Sequence, residues 1–276
     1  MKSCILRCGD MSAVILPEKG GTLTRLTRNG RDFIYEDPDN LNSPERPRCG
    51  IPFLFPMFGR LKDETYTWEG KPYHMAIHGF AHTSSWRIAD IAADFVRLVL
   101  ESSPETRAMY PFDFRVALTY RLEPNQLSIK LRFENTGNAP MPFNYGFHPY
   151  FLTDKLENVR VEAQAGVQID FSTGKALPFG QGELSLRIPE GAPEAGAALA
   201  QLGSPTVIRI PAEGRQITMS QDESFNQLVL WAQAGKKFLC VEPINGSPNG
   251  LNTGNYLTLA PGETQEAFLR LCPECI

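Results

Sequence analysis

The 276-residue sequence has no long apolar run, no cationic stripe, only four histidines and no extended stretch of helical periodicity. Its longest apolar stretch, Ile51 to Phe58, is broken by Pro52 and Pro56 and falls far short of the ~20 residues that a spanning helix needs. No membrane partner is expected. Lys and Arg total 27 against 31 Asp and Glu, a net charge of −4, so a run of phosphates would meet no matching positive face. Nucleic acid is not expected as a ligand either. Met1 to Asp10 holds Lys2 and Arg7 but no apolar segment of signal-peptide length, and a cytoplasmic location is the expectation.

Cysteine is not scarce, but it is not organised. Cys272-Pro-Glu-Cys275 has metal-ligand spacing that Cys4 and Cys8 could complete. A single close pair is thin ground for a zinc site, and a large chain without a secretory signal favours reduced core or surface thiols.

The sequence is well supplied with 23 glycines and 22 prolines, which suit many short elements joined by turns. Segments of period-two character recur: Phe95 to Leu100, Phe114 to Tyr120, Leu127 to Phe133, Val207 to Ile210, Gln216 to Ser220 and Gln227 to Trp231. Between them stand turn signals such as Asn29-Gly30, Glu123-Pro-Asn125, Asn135-Thr-Gly137 and Pro261-Gly262. Ser102 to Tyr110 is expected to hold a helical turn behind a serine cap, and Ala192 to Leu202 another. The alanine-rich Gly191 to Ala200 stretch reads as a surface excursion. The whole chain, 1–276, is expected to form one all-β domain, an antiparallel sandwich or wide barrel.

Three segments and one strand end carry chemistry. Cys49 to Arg60 is an apolar run with two prolines, which cannot be a central strand because each proline removes a ladder donor. It is expected to be a buried, irregular segment delivering Arg60. His74-Met-Ala-Ile-His78-Gly-Phe-Ala-His82 spaces its histidines for one helix face, but Gly79 and the lack of an acidic third ligand argue against a helix and a metal. A His-Gly-Phe turn instead sets an imidazole beside an approachable backbone. Phe143 to Phe151 packs aromatic residues around His148, giving a hydrogen-bonding group inside an apolar wall. Phe238 to Pro243 ends an apolar strand with Glu242, a carboxylate costly to bury unless paired or used.

In this order, these segments resemble the aldose 1-epimerase (galactose mutarotase-like) family, most closely its shorter bacterial epimerase-like branch. The matching residues are Gly50-Ile-Pro-Phe-Leu-Phe-Pro56 with Gly59-Arg60, His78-Gly-Phe-Ala81 with Trp86, Asn144 to Phe151, Leu230-Trp231, Lys237 to Pro243 and Leu257 to Glu263. The resemblance implies a large antiparallel β-sandwich with few short helices. It also implies an isomerase interconverting the α and β anomers of a free aldose without cofactor or metal. Glu242 would be the general base on the anomeric hydroxyl and His148 the general acid on the ring oxygen. Arg60, His78, Phe80 and Phe225 would contact the sugar. The chain would act as a monomer or homodimer on a small-molecule substrate.

A carboxylate neighbour is expected to raise the His148 pKa enough for partial protonation at neutral pH, while the pairing keeps Glu242 ionised. The sequence departs from the family pattern twice. No aspartate stands in Ala198 to Ile208, where many members carry one that grips sugar hydroxyls, and Asp170 and Asp222 lie in the wrong context. His82 stands where the hexose-6-phosphate branch carries arginine, which makes a phosphorylated sugar a secondary expectation. The competing readings are a hexose-6-phosphate epimerase and a non-catalytic sugar-binding or regulatory module. Hydrolysis ranks lower, since only one carboxylate is placed where two are usual.

Overall fold

The computed structural model describes residues 2–43, 45–171 and 174–276. Antiparallel strands dominate, and among the described residues only three short α-helices occur, Pro38–Asn42, Pro104–Met109 and Gly250–Thr253. One 15-stranded sheet runs from Phe53–Leu54 through Gly146–Phe147, Phe238–Ile244, Gln227–Gln233, Glu194–Ala200 and Arg160–Asp170, and onward to the edge strand Arg87–Ile91. It curls so that its two ends face each other. Phe133, near one end, meets Tyr145 and Phe53, near the other, at ring-centroid distances of 4.6 and 6.3 Å. A four-stranded sheet, Cys4–Cys8 to Arg31–Asp32, covers one flank and is tied on by the Tyr120 hydroxyl, which donates to the Gly21 carbonyl at 2.9 Å.

The alternating segments found in the sequence are all strands, because period-two patterning places one side of each strand in the core. The capped turn is present. Ser103 accepts the Thr106 amide and Thr106 Oγ1 accepts the Ser103 amide, closing a capping box at the start of Pro104–Met109. The second expected helical turn is not. Glu194–Ala200 is an inner strand of the long sheet, paired with Gln227–Gln233 on one side and Arg160–Asp170 on the other. Alanine's helix propensity is overridden by two flanking strands that satisfy its backbone on both edges. The stretch is therefore no surface excursion.

Cys272 and Cys275 lie in the extended strand Thr264–Cys275. Three residues of extended chain span about 10 Å, and odd spacing points the two side chains to opposite faces. The pair cannot chelate one ion together.

Candidate active site

The strand Phe238–Ile244 is buried along its entire length, yet its two faces have different neighbours. Leu239 and Val241 enter the main core, whereas Phe238, Cys240 and Ile244 pack into small clusters on the opposite face. By the same alternation Glu242 belongs to that opposite face.

Its partner comes from a strand with a gap. Gly146 pairs with Ile244 and Tyr150 pairs with Cys240, so the intervening register sets His148 opposite Glu242. The ladder breaks there. The His148 amide turns outward to the Pro52 carbonyl at 3.0 Å, and Pro149 has no amide to donate. His148 Nε2 lies 3.4 Å from Glu242 Oε1, with the two residues 8% and 2% exposed. The Tyr150 ring stacks on the imidazole at 4.7 Å, and Trp231 meets it edge-on at 6.1 Å.

His78 reaches the same place from a turn. Its φ of 69° is followed by 72° at Gly79, where an added Cβ would lie 2.4 Å from the Phe55 carbonyl oxygen. Only glycine allows that approach. The Gly59 amide donates to His78 Nδ1 at 3.1 Å, which fixes the ring's proton on Nε2. The His78 ring lies 5.5 Å from His148 and 6.2 Å from His82, so three buried imidazoles form a row that ends at Glu242.

The expected protonation is reversed by burial. His148 is driven down to about 3, first by loss of water and then by the charge of Arg46. Burial pushes the Glu242 carboxyl well above its ordinary range, opposed by the same arginine. The nearby carboxyl does not lift His148, because a desolvated acid keeps its proton and offers little negative charge. The pair thus favours its neutral form, with one proton serving both groups. His78 is also held well below its ordinary value and His82 is lowered to about 4, in both cases chiefly by burial.

Arg46 was not singled out by its sequence. It is half-buried, and its charge acts on His148, His78, His82 and Glu242. Asn40 holds its loop from both ends, donating to the Arg46 carbonyl at 3.3 Å and accepting the Arg48 amide at 2.6 Å. Burial above all lowers the guanidinium's own pKa. Its side chain has no ion-pair partner among the described residues. The available signal was Arg46-Pro-Arg48 standing directly before the buried Cys49-Gly-Ile-Pro52.

The other sequence candidates lie elsewhere. Arg60 ends the proline-rich segment as expected, but its side chain is 62% exposed and paired with Glu64 at 3.3 Å. Phe80 packs on Phe55, Tyr110 and Phe114, and Phe225 on Tyr145 and Phe147, both inside the core. At 4% and 0% exposure, their role here is packing rather than lining the site. Where a hydroxyl-gripping aspartate was sought, Ala198 pairs with Val229, which pairs with Glu242, within an apolar cluster completed by Leu54, Phe58 and Ile244. Asp222 is occupied by the Ser224 and Phe268 amides. As possible metal donors, His148, Cys240 and Glu242 bring ligand atoms within 4.8 Å of one another.

A buried carboxyl and imidazole in contact can exchange a proton with each other and with a bound hydroxyl group. Comparison with known proteins shows the family and the fold. The family model described as aldose 1-epimerase matches residues 4–272. The solved Slr1438 protein of Synechocystis sp. PCC 6803 superposes with a TM-score of 0.91 at 28% identity, covering 100% of this chain and 96% of its own. A galactose mutarotase related enzyme of Lactobacillus acidophilus has the same fold, with a TM-score of 0.83 at 20% identity over 99% and 97% of the two chains. In sequence, the protein YihR of Escherichia coli (strain K12) is 24% identical over 96% of this chain and 91% of its own.

Proposed function

The chain belongs to the aldose 1-epimerase family, and from that premise we propose that it is a mutarotase working through Glu242 and His148. The observation that carries this reading is the buried carboxyl–imidazole contact at 3.4 Å. The ionised pair needed for reaction is one proton transfer away from the neutral pair, and the Arg46 cation favours its carboxylate while opposing its imidazolium. Glu242 then takes the proton of the anomeric hydroxyl as the C1–O5 bond breaks, and His148 delivers its proton to O5. The open aldehyde rotates about C1–C2, and closure with the roles reversed gives the other anomer. Each group contributes about 10² to 10⁴ in rate.

His78 supports substrate positioning, since its Nε2–H is left free by the Gly59 amide. Arg60 would join by leaving Glu64, an exposed pair of little net strength. A second reading, an aldose bearing an anionic group such as phosphate, is favoured by Arg46, a half-buried cation without an ion-pair partner among the described residues. Arg48 and Arg60 both act on it, adding positive charge nearby.

The test is anomer exchange followed by NMR from fresh α-glucose, α-galactose and their 6-phosphates. Acceleration over buffer with at least one sugar is expected. No acceleration across the panel would overturn the mutarotase reading, and sugar binding by calorimetry without exchange would favour a non-catalytic binding module.

A further inference from the structure

Cys240 takes no part in the proposed acid–base reaction, yet it stands two residues before Glu242 on the same face of the same strand. The paired Tyr150 fixes it beside His148 as well. We propose that His148, Cys240 and Glu242 form a binding site for a thiophilic divalent cation of the zinc type.

The donor set is one imidazole nitrogen, one sulfur and one carboxylate oxygen, the ligand types that zinc takes in tetrahedral sites with a fourth position open. Metal–ligand bonds of about 2.0–2.3 Å place neighbouring donors about 3.3–3.6 Å apart. His148 Nε2 and Glu242 Oε1 already stand at 3.4 Å, and all three donors lie within 4.8 Å. Side-chain rotations that close the remaining gap by roughly 1 Å complete the set. His148 Nδ1 is buried and finds no partner outside its own residue. The ring can therefore keep its one proton there and turn the Nε2 lone pair toward the cation.

Charge also balances. The cation enters with two positive charges, while the thiol proton and the carboxyl proton leave to solvent. The thiolate and carboxylate that remain cancel the added charge, so the buried site gains no net charge. No redox step is involved. The half-buried Arg46 works against the cation, and its removal should tighten binding.

The site does not rest on the mutarotase reading, because its test measures binding. The whole chain, kept reduced by a phosphine, is titrated with Cd²⁺ as a spectroscopic probe for zinc. Calorimetry and the thiolate-to-cadmium charge-transfer absorption are recorded together. One cadmium per chain with a charge-transfer band is expected. Cys240→Ala should abolish the band and weaken binding about tenfold or more, Cys240→Ser should weaken it likewise, and His148→Asn should do so while leaving the sulfur in place. Arg46→Gln should bind several-fold more tightly. A band that persists in Cys240→Ala, which would assign it to the exposed Cys275 or another thiol, overturns the proposal. So does unchanged affinity in His148→Asn, or no binding by the wild type. Circular dichroism of each variant identifies any loss due to misfolding, and the more conservative Cys240→Ser then decides.

Discussion

His148 and Glu242 stand opposite each other because a strand loses one rung of its ladder between Gly146 and Tyr150 without losing its register. The gap leaves an imidazole and a carboxyl in contact where a continuous strand would have exchanged backbone hydrogen bonds. Replacing Glu242 with Gln, or His148 with Asn, should lower anomer exchange by about 10² to 10⁴. Neither change should reduce stability much, because burial already holds the pair neutral and removing one partner uncovers no buried charge. Urea midpoints measured beside NMR exchange rates check both halves of this expectation. A variant retaining near-wild-type exchange would show that the roles are misassigned.

Arg46→Gln separates the neutral and anionic substrate readings. For an anionic aldose, kcat/KM should fall about tenfold or more, and the wild-type rate should decline as salt rises. For a neutral aldose the loss should be smaller and nearly insensitive to salt. Equal losses with both kinds of sugar would rule out an anion-binding role for this arginine.

Stability should fall in mild acid through His82. The folded chain holds this ring near 4, against 6.5 when exposed. Between those values the unfolded chain binds the proton and the folded chain does not, so stability present above pH 6.5 is lost as pH falls toward about 4. A shift of this size corresponds to about 3 kcal/mol. Glu242 titrates with the opposite slope, so the comparison is differential. The stability gap between wild type and His82→Gln, from urea unfolding at several pH values, should change across this window. A constant gap would show that His82 does not carry the effect.

Gly79→Ala should destabilise the protein by about 2–5 kcal/mol, combining a left-handed backbone with contact against Phe55. Because His78 precedes it, exchange activity should fall even at temperatures where the variant stays folded. Thermal melts and exchange rates on one sample test this, and full activity in a folded variant would separate the turn from the site.

The strands and the Ser103 cap were legible because alternation and capping are local chemistry. Glu194–Ala200 was not, since its strand conformation is imposed by neighbours distant in sequence. His148, Glu242 and His78 stood out because polar groups interrupt apolar or aromatic segments. Arg46 did not, because an arginine in a polar, proline-containing stretch looks like any solvated arginine until the fold brings its charge to bear on three histidines. The protonation of the pair departs from the sequence expectation for a related reason. The sequence indicates that a carboxylate and an imidazole meet, whereas the degree of water exclusion, which sets their charge, belongs to the folded state.

The alternation along Phe238–Ile244 divides one short strand between two kinds of failure. Substitutions at Leu239 or Val241 disturb the main core and should be seen as lost yield of folded chain. Those at Glu242 should leave soluble protein that does nothing. A screen scoring abundance and turnover separately would therefore part the two scores at Glu242 and join them at its neighbours Leu239 and Val241.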